Sequence, residues 1–137
     1  LSKELGLQDK ITFAGYIANE NIPRVLNSFD IYVALSRWNS ESFGVAVLEA
    51  SACGLPVVVS DADGLKEVVL DLGTGLIVAK DNPQLAADAL LKLINDNTLR
   101  ERLGLNGRKH VLQHYTWEKS LEAMIKAYQA TIKVCRK

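Results

Sequence analysis

The sequence predicts an α/β domain: a doubly wound parallel sheet with helices on both faces and a helical C-terminal tail. Three observations predict it. Short apolar, β-branched runs recur at residues 11–14 (ITFA), 30–35 (DIYVAL), 56–60 (PVVVS) and 76–79 (LIVA). Stretches of helical spacing separate them across short loops. From Asn82 to the end the pattern is helical. Strands that alternate with helices over short loops pair in parallel, because each helix carries the chain back across the sheet.

The elements follow in order. Leu1-Ser2-Lys3-Glu4-Leu5-Gly6-Leu7 reads as the last turn of a helix already under way, with Gly6 near its C-cap. Residues are therefore expected to precede Leu1. Residues 11–14 end at Gly15 and read as the first strand. Residues 21–29 are helical through Ile22, Val25, Leu26 and Phe29. Residues 30–35 form a buried strand, and residues 43–53 a helix closed by Gly54. The valines of 56–60 suit a strand covered on both faces. A short helix at 65–70 precedes Gly73 and Gly75, and the fourth strand covers 76–79. Helices follow at about 83–94, with Pro83 suited to the first turn, at 98–114, and from Thr116 onward. The last carries Trp117, Leu121, Met124, Ile125, Tyr128 and Ile132 on one stripe, with Trp117 as its expected core anchor.

Length and charge bound the function. The 137 residues suit one domain, residues 1–137. Lys and Arg number 16, and so do Asp and Glu. A chain without net charge has no broad attraction for phosphate backbones, which argues against a nucleic-acid module. Cys53 and Cys135 are far apart and form no metal-ligand spacing. With no apolar run of the roughly 20 residues that span a bilayer, and no signal-like start, a cytoplasmic setting is expected.

Open α/β sheets hold ligands at the carboxyl ends of their strands, so the loops after Ala14, Leu35, Ser60 and Ala79 are the candidates. The second is the informative one. Residues 36–50 (SRWNSESFGVAVLEA) leave a buried strand and enter a helix. The first amides of such a helix lack internal partners and make an anion site. Gly44 lets a ligand approach the backbone, and Ser40 and Ser42 are candidate caps. Glu49 sits among Val45, Ala46, Ala52 and Cys53, none of which can pair with it. A carboxylate on a buried helix needs a partner, and a ribose diol would supply two donors. Glu41 lies in the loop ahead, favoured by the helix dipole. The plainer readings are a dipole partner for Glu41 and a distant Lys or Arg for Glu49.

The segment from Glu41 to Glu49 (ESFGVAVLE) matches the E-x7-E motif of glycosyltransferase family four. Its flanks extend the likeness. Residues 13–15 resemble the family's F-x-G strand end, Asp30-Ile31 its strand start, and Ser36 its loop serine. Residues 49–57 (EASACGLPV) resemble its E-A-x-A-x-G-x-P-V run. Glu67-Val68-Val69 with residues 75–78, then Arg108 and Tyr115-Thr116-Trp117, continue the match through nearly all of the chain.

The resemblance implies half of a two-domain fold, each half Rossmann-like, with the active site between them. It implies transfer of a sugar from a nucleotide-diphosphate donor, UDP- or GDP-linked, with retention of anomeric configuration. Glu41 would be the catalytic glutamate contacting the donor sugar. Ser42, Phe43, Gly44 and Val45 would bind donor sugar and diphosphate. Glu49 would hold the ribose, and Gly15 and Tyr16 the base loop. No metal or cofactor is implied. The acceptor, a polysaccharide or lipid-linked glycan, would lie on a domain absent here, in an enzyme at the cytoplasmic face of a membrane. The family's upstream basic residues, which stabilise the departing diphosphate, are also absent. The chain alone is therefore expected to be inactive and to bind nucleotide weakly. Leu35 replaces the usual Pro. Asp63 replaces a Gly and adds a charge and a Cβ near a ligand loop, where they bear on donor affinity.

Other readings carry less. His110 and His114 have i, i+4 spacing but no third metal ligand nearby. Cys53 reads as a core thiol, and Trp38 or Arg37 as a possible contact to donor or acceptor. A nucleotide-sugar epimerase on the same fold would lack the E-A-x-A-x-G-x-P-V run. A non-catalytic nucleotide-binding module would show G-x-G-x-x-G, which is missing. A response-regulator-like domain would need more clustered acid than Asp61 and Asp63.

Overall fold

The computed structural model describes residues 1–38 and 43–135. Among these residues three parallel strands form one sheet: β1 (Tyr32–Ala34), β2 (Val57–Ser60) and β3 (Gly75–Val78), in the order β1-β2-β3. Tyr32 registers with Val57, and Val57 with Gly75. Each strand pairs with the next along the chain, so the sheet grows in one direction.

Alternation within β2 explains the two layers. Every residue of β2 is buried, and successive side chains point to opposite faces. Val57 and Val59 join one core cluster with α2 (Val45–Ala52) and α3 (Asp63–Val68), through Val47, Leu48, Leu65 and Val68. Val58 joins a second cluster with Leu76 and Val78, under α4 (Pro83–Asn95) and α5 (Asn97–His114), through Ala86, Leu93, Leu99 and Leu103. The expected helices on both faces are therefore present. Helix α1 (Ile22–Leu26) packs on the first cluster through Leu26.

The expected strand at 11–14 does not form. Ile11 has extended backbone (φ −120°, ψ 126°), but no neighbouring strand offers it a ladder, and Phe13 is 85% exposed. Extended conformation without a partner leaves the backbone to water. The turn before it matches expectation. Leu7 N–H donates to the Ser2 carbonyl at 2.8 Å and Gly6 N–H to Lys3 at 3.1 Å, the paired bonds of a glycine-closed helix end.

The helical tail is held by caps. Asn82 accepts from the Leu85 amide at 3.0 Å to start α4, and Asp96 from the Leu99 amide at 2.9 Å to start α5. The Arg100 guanidinium donates to the Leu93 and Ile94 carbonyls at the end of α4. Helix α6 (Trp117–Cys135) carries the expected apolar stripe, yet Trp117 is 86% exposed. Trp117 is thus not a core anchor, because no described element covers that stripe.

Helix α5 crosses the amino ends of the strands. A Cβ on Gly104 would stand 2.0 Å from the Gly54 carbonyl oxygen, and one on Gly107 3.4 Å from that of Thr74. Gly54 closes α2 with φ +80°, a conformation that L side chains rarely adopt. Cys53 is half-buried against the first cluster.

Candidate functional site

The expected chemistry lies where β1 leads into α2. Gly44 opens the helix in the left-handed region (φ 78°, ψ 43°), with no side-chain cap. An L side chain there would be strained, and its Cβ would stand 3.0 Å from Leu65 Cδ2. The Gly44 carbonyl accepts from the Val47 and Leu48 amides at 3.0 and 3.2 Å. The amides of Val45 and Ala46 have no hydrogen-bond partner among the described residues, and both residues are exposed. Open amides at a helix start favour an anion. Gly44 and Val45 thus stand at such a start, with the exposed Phe43 ahead of them. Glu41, Ser42 and Ser40, of the same segment, lie outside the described residues.

Glu49 is exposed, which corrects the reading of a carboxylate on a buried helix. Helix α2 is apolar in composition, but it buries Val47, Leu48, Ala50 and Ser51 and leaves Val45, Ala46 and Glu49 open. Helical spacing puts those three on one face. The carboxylate is hydrated, so its want of an ion-pair partner costs little. Its position is what marks it. Glu49 lies one turn below the open amides and lines two cavities. One, of about 240 Å³, is also lined by Ile17, Leu26, Phe29, Tyr32 and Ala46. The other, of about 480 Å³, is lined by Phe43, Val45, Leu48, Val111, Tyr115 and Trp117 among others.

Gly15 turns with φ 68°, and Tyr16 is 91% exposed. Ile17, the next residue, lines the first cavity with Glu49. The structure therefore brings the turn at 15–17 and Glu49 to one concavity, while Tyr16 itself lines none of the cavities described.

A third cavity, of about 250 Å³, lies at the carboxyl ends of the strands, between Leu35, Ser36, Arg37, Ser60 and Asp81. Arg37 Nε donates to Asp81 Oδ1 at 2.6 Å, a largely exposed pair worth little in stability. Ser60 Oγ donates to the Ser36 carbonyl at 2.8 Å and ties the loop after β1 to β2. Asp63, whose charge stood out in the sequence, pairs with Lys66 at 2.8 Å. The hydrogen bond to Lys66 and its charge hold the Asp63 carboxyl below its ordinary value and raise that of Lys66.

The rings of His110 and His114 stand 4.8 Å apart. Partial burial, then the neighbouring His114, push the His110 imidazole below its ordinary value. Among the described residues no group of three or more His, Cys, Asp or Glu could hold a metal ion. Sequence reasoning missed that Tyr115 meets Phe43 edge-on, with ring centroids 5.9 Å apart. The triplet containing Tyr115 was visible, but a separation of 72 positions gives no periodicity from which to infer the contact.

Comparison with known proteins adds to this geometry. A family described as glycosyl transferases group 1 matches residues 1–110. A D-inositol 3-phosphate glycosyltransferase of Corynebacterium jeikeium is 38% identical over 129 residues, covering 94% of this chain and 30% of that protein. A sucrose-phosphate synthase from Thermosynechococcus elongatus superposes with TM-score 0.85 at 30% identity, over 97% of this chain and 33% of the other. The C-terminal domain of a group 1 family glycosyl transferase from Francisella tularensis gives TM-score 0.74 at 34% identity, over 85% of this chain and 59% of the other. The chain thus spans 23% to 34% of the length of these and similar curated relatives.

Proposed function

The chain belongs to the group 1 glycosyl transferases, and from that premise we propose that residues 1–137 are the unit that holds a nucleotide-diphosphate sugar. The observation that carries the reading is the start of α2, where Val45 and Ala46, whose amides have no partner among the described residues, stand one turn above the exposed Glu49. The diphosphate would lie over those amides, where dipole and N–H groups favour it. Glu49 would accept from the two ribose hydroxyls. The base would enter the concavity beside the turn at Gly15 and Tyr16, against Ile17. Ser42, Phe43, Gly44 and Val45 would face the sugar and diphosphate.

In the whole enzyme Glu41 would act at the donor sugar, with transfer retaining the anomeric configuration. The donor would be UDP- or GDP-linked. The acceptor, a polysaccharide or lipid-linked glycan, would bind on a separate domain, and no cofactor or metal would be required. Group 1 relatives that carry names such as D-inositol 3-phosphate glycosyltransferase support transfer to a hydroxyl acceptor. No helix among the described residues is long and apolar enough to cross a membrane. The whole enzyme would work in peripheral contact with the cytoplasmic face of a membrane.

Backbone amide shifts test this reading during titration with UDP, GDP, ADP and their sugar conjugates. Gly15, Gly44, Val45 and Glu49 should move with one nucleotide. Glu49→Ala should weaken that binding roughly ten- to a hundredfold, the worth of hydrogen bonds to a charged group. Being exposed, it should alter stability by no more than about 0.5 kcal/mol. Silence of these amides at millimolar concentrations of every nucleotide would overturn the assignment.

A further inference from the structure

We propose that Tyr115 is a positioning residue for donor binding: through the Phe43 ring it sets where the first turn of α2 stands. The inference rests on the donor-site reading above and concerns what holds that site in place. Gly44, the N-cap residue, has no side chain with which to cap α2, and contacts from other elements, Leu65 and Val68 among them, bear on its start. Phe43, the residue before Gly44, meets Tyr115 edge to face, with centroids 5.9 Å apart and planes at 67°. That is the favoured geometry for two aromatic rings.

Tyr115 is itself fixed. Its amide donates to the Val111 carbonyl at 2.8 Å, at the end of α5. The His110 ring stands edge-on to it at 5.6 Å, and its hydroxyl points to the Glu67 carbonyl on α3 at 3.4 Å. The far end of α2 is gripped by the same helix. Arg108 Nη1 donates to the Ala52 carbonyl, and Gly104 lies against the Gly54 carbonyl. Helix α5 therefore holds α2 at both ends, and the Phe43–Tyr115 contact is the one at the ligand end. Moving that ring turns the backbone that presents the Val45 and Ala46 amides, and loss of placement costs affinity without removing any ligating group.

The test compares Tyr115→Leu, Tyr115→Phe, Phe43→Leu and the double leucine variant by amide NMR, free and titrated with whichever of UDP, GDP or ADP binds the wild type. Without ligand, Tyr115→Leu should displace the Gly44 and Val45 amides, and Tyr115→Phe, which keeps the ring, should restore them. With ligand, Tyr115→Leu should raise Kd about 2- to 12-fold, the worth of one edge-to-face pair. The double variant should bind no more weakly than the weaker-binding single one. Unmoved Gly44 and Val45 amides in Tyr115→Leu, or losses that multiply in the double variant, would overturn the proposal. If the wild type binds no nucleotide, the donor reading fails, and the ligand-free shifts still decide whether Tyr115 places α2. If Tyr115→Leu does not fold, Phe43→Leu, at an exposed residue, makes the ligand-free comparison from the other ring.

Discussion

Gly104→Ala should destabilise the chain, although alanine is the better helix former. Gly104 is buried within α5, and its added Cβ would stand 2.0 Å from the Gly54 oxygen and 3.0 Å from the Gly54 carbon. Ordinary contact begins near 3.4 Å, so the helix must retreat by more than 1 Å. The obstacle is backbone, which cannot rotate aside. Overpacking of this kind costs about 1–3 kcal/mol or more, against a gain of about 1 kcal/mol in helix propensity. A net loss of about 1–2 kcal/mol lowers Tm by roughly 3–10 °C at this chain length. Gly107, one turn on, supplies the control. Its Cβ would meet Thr74 at 3.4 Å and Ser51 at 3.5 Å, which is ordinary contact. Gly107→Ala should therefore be neutral or stabilise by up to about 1 kcal/mol. Thermal unfolding followed by circular dichroism measures both. A Gly104→Ala protein as stable as wild type, or equal losses in the two variants, would refute the close crossing of α5 over Gly54.

Two further expectations concern the site. Gly44→Ala should cost about 1–2 kcal/mol from the left-handed backbone alone, with more from the approach to Leu65 Cδ2 at 3.0 Å; urea midpoints measure it. Stability should also fall as pH drops below 6.5, the ordinary His110 value. The folded state holds His110 below that value, so it binds fewer protons than the unfolded chain there. Its contribution is intact above 6.5 and is lost as pH falls through the folded value. His110→Gln should flatten that part of the pH profile of the urea midpoint, and an unchanged slope would remove His110 from the account.

Much of the fold could be read from local pattern. The valines of β2 announce a strand buried on both faces, and the helix starts read at about 83 and 98 are kept within a residue. What failed depended on neighbours. Ile11 and Thr12 have strand propensity, and Ile11 is extended, but a strand also needs an adjacent edge, which composition does not reveal. Glu49 was singled out for having no local partner, and that observation stands. The inferred burial does not, because a helix apolar on all sides gives no sign of which face stays open. Trp117 lies on a regular stripe, and periodicity identifies a stripe without saying what covers it. Gly44 was singled out for the approach of a ligand, while its left-handed backbone and its closeness to Leu65 and Val68 come from the folded arrangement.

The crossing of α5 over Gly54 also bears on the order of assembly. Tyr32 and Val57, or Val57 and Gly75, lie about 25 and 18 residues apart in the chain, so each strand can join the next through a modest loop. Gly104 must find Gly54 about 50 residues away, after the intervening strands exist to be crossed. Loop-closure entropy rises only slowly with length, but this closure has no surface to close on until the sheet is built. Helix α2 is then held at both ends only in a chain whose α5 is seated, and the amides at its start are fixed only there. A nucleotide held there would bind the finished chain alone, and would pull the whole folding equilibrium toward it by mass action.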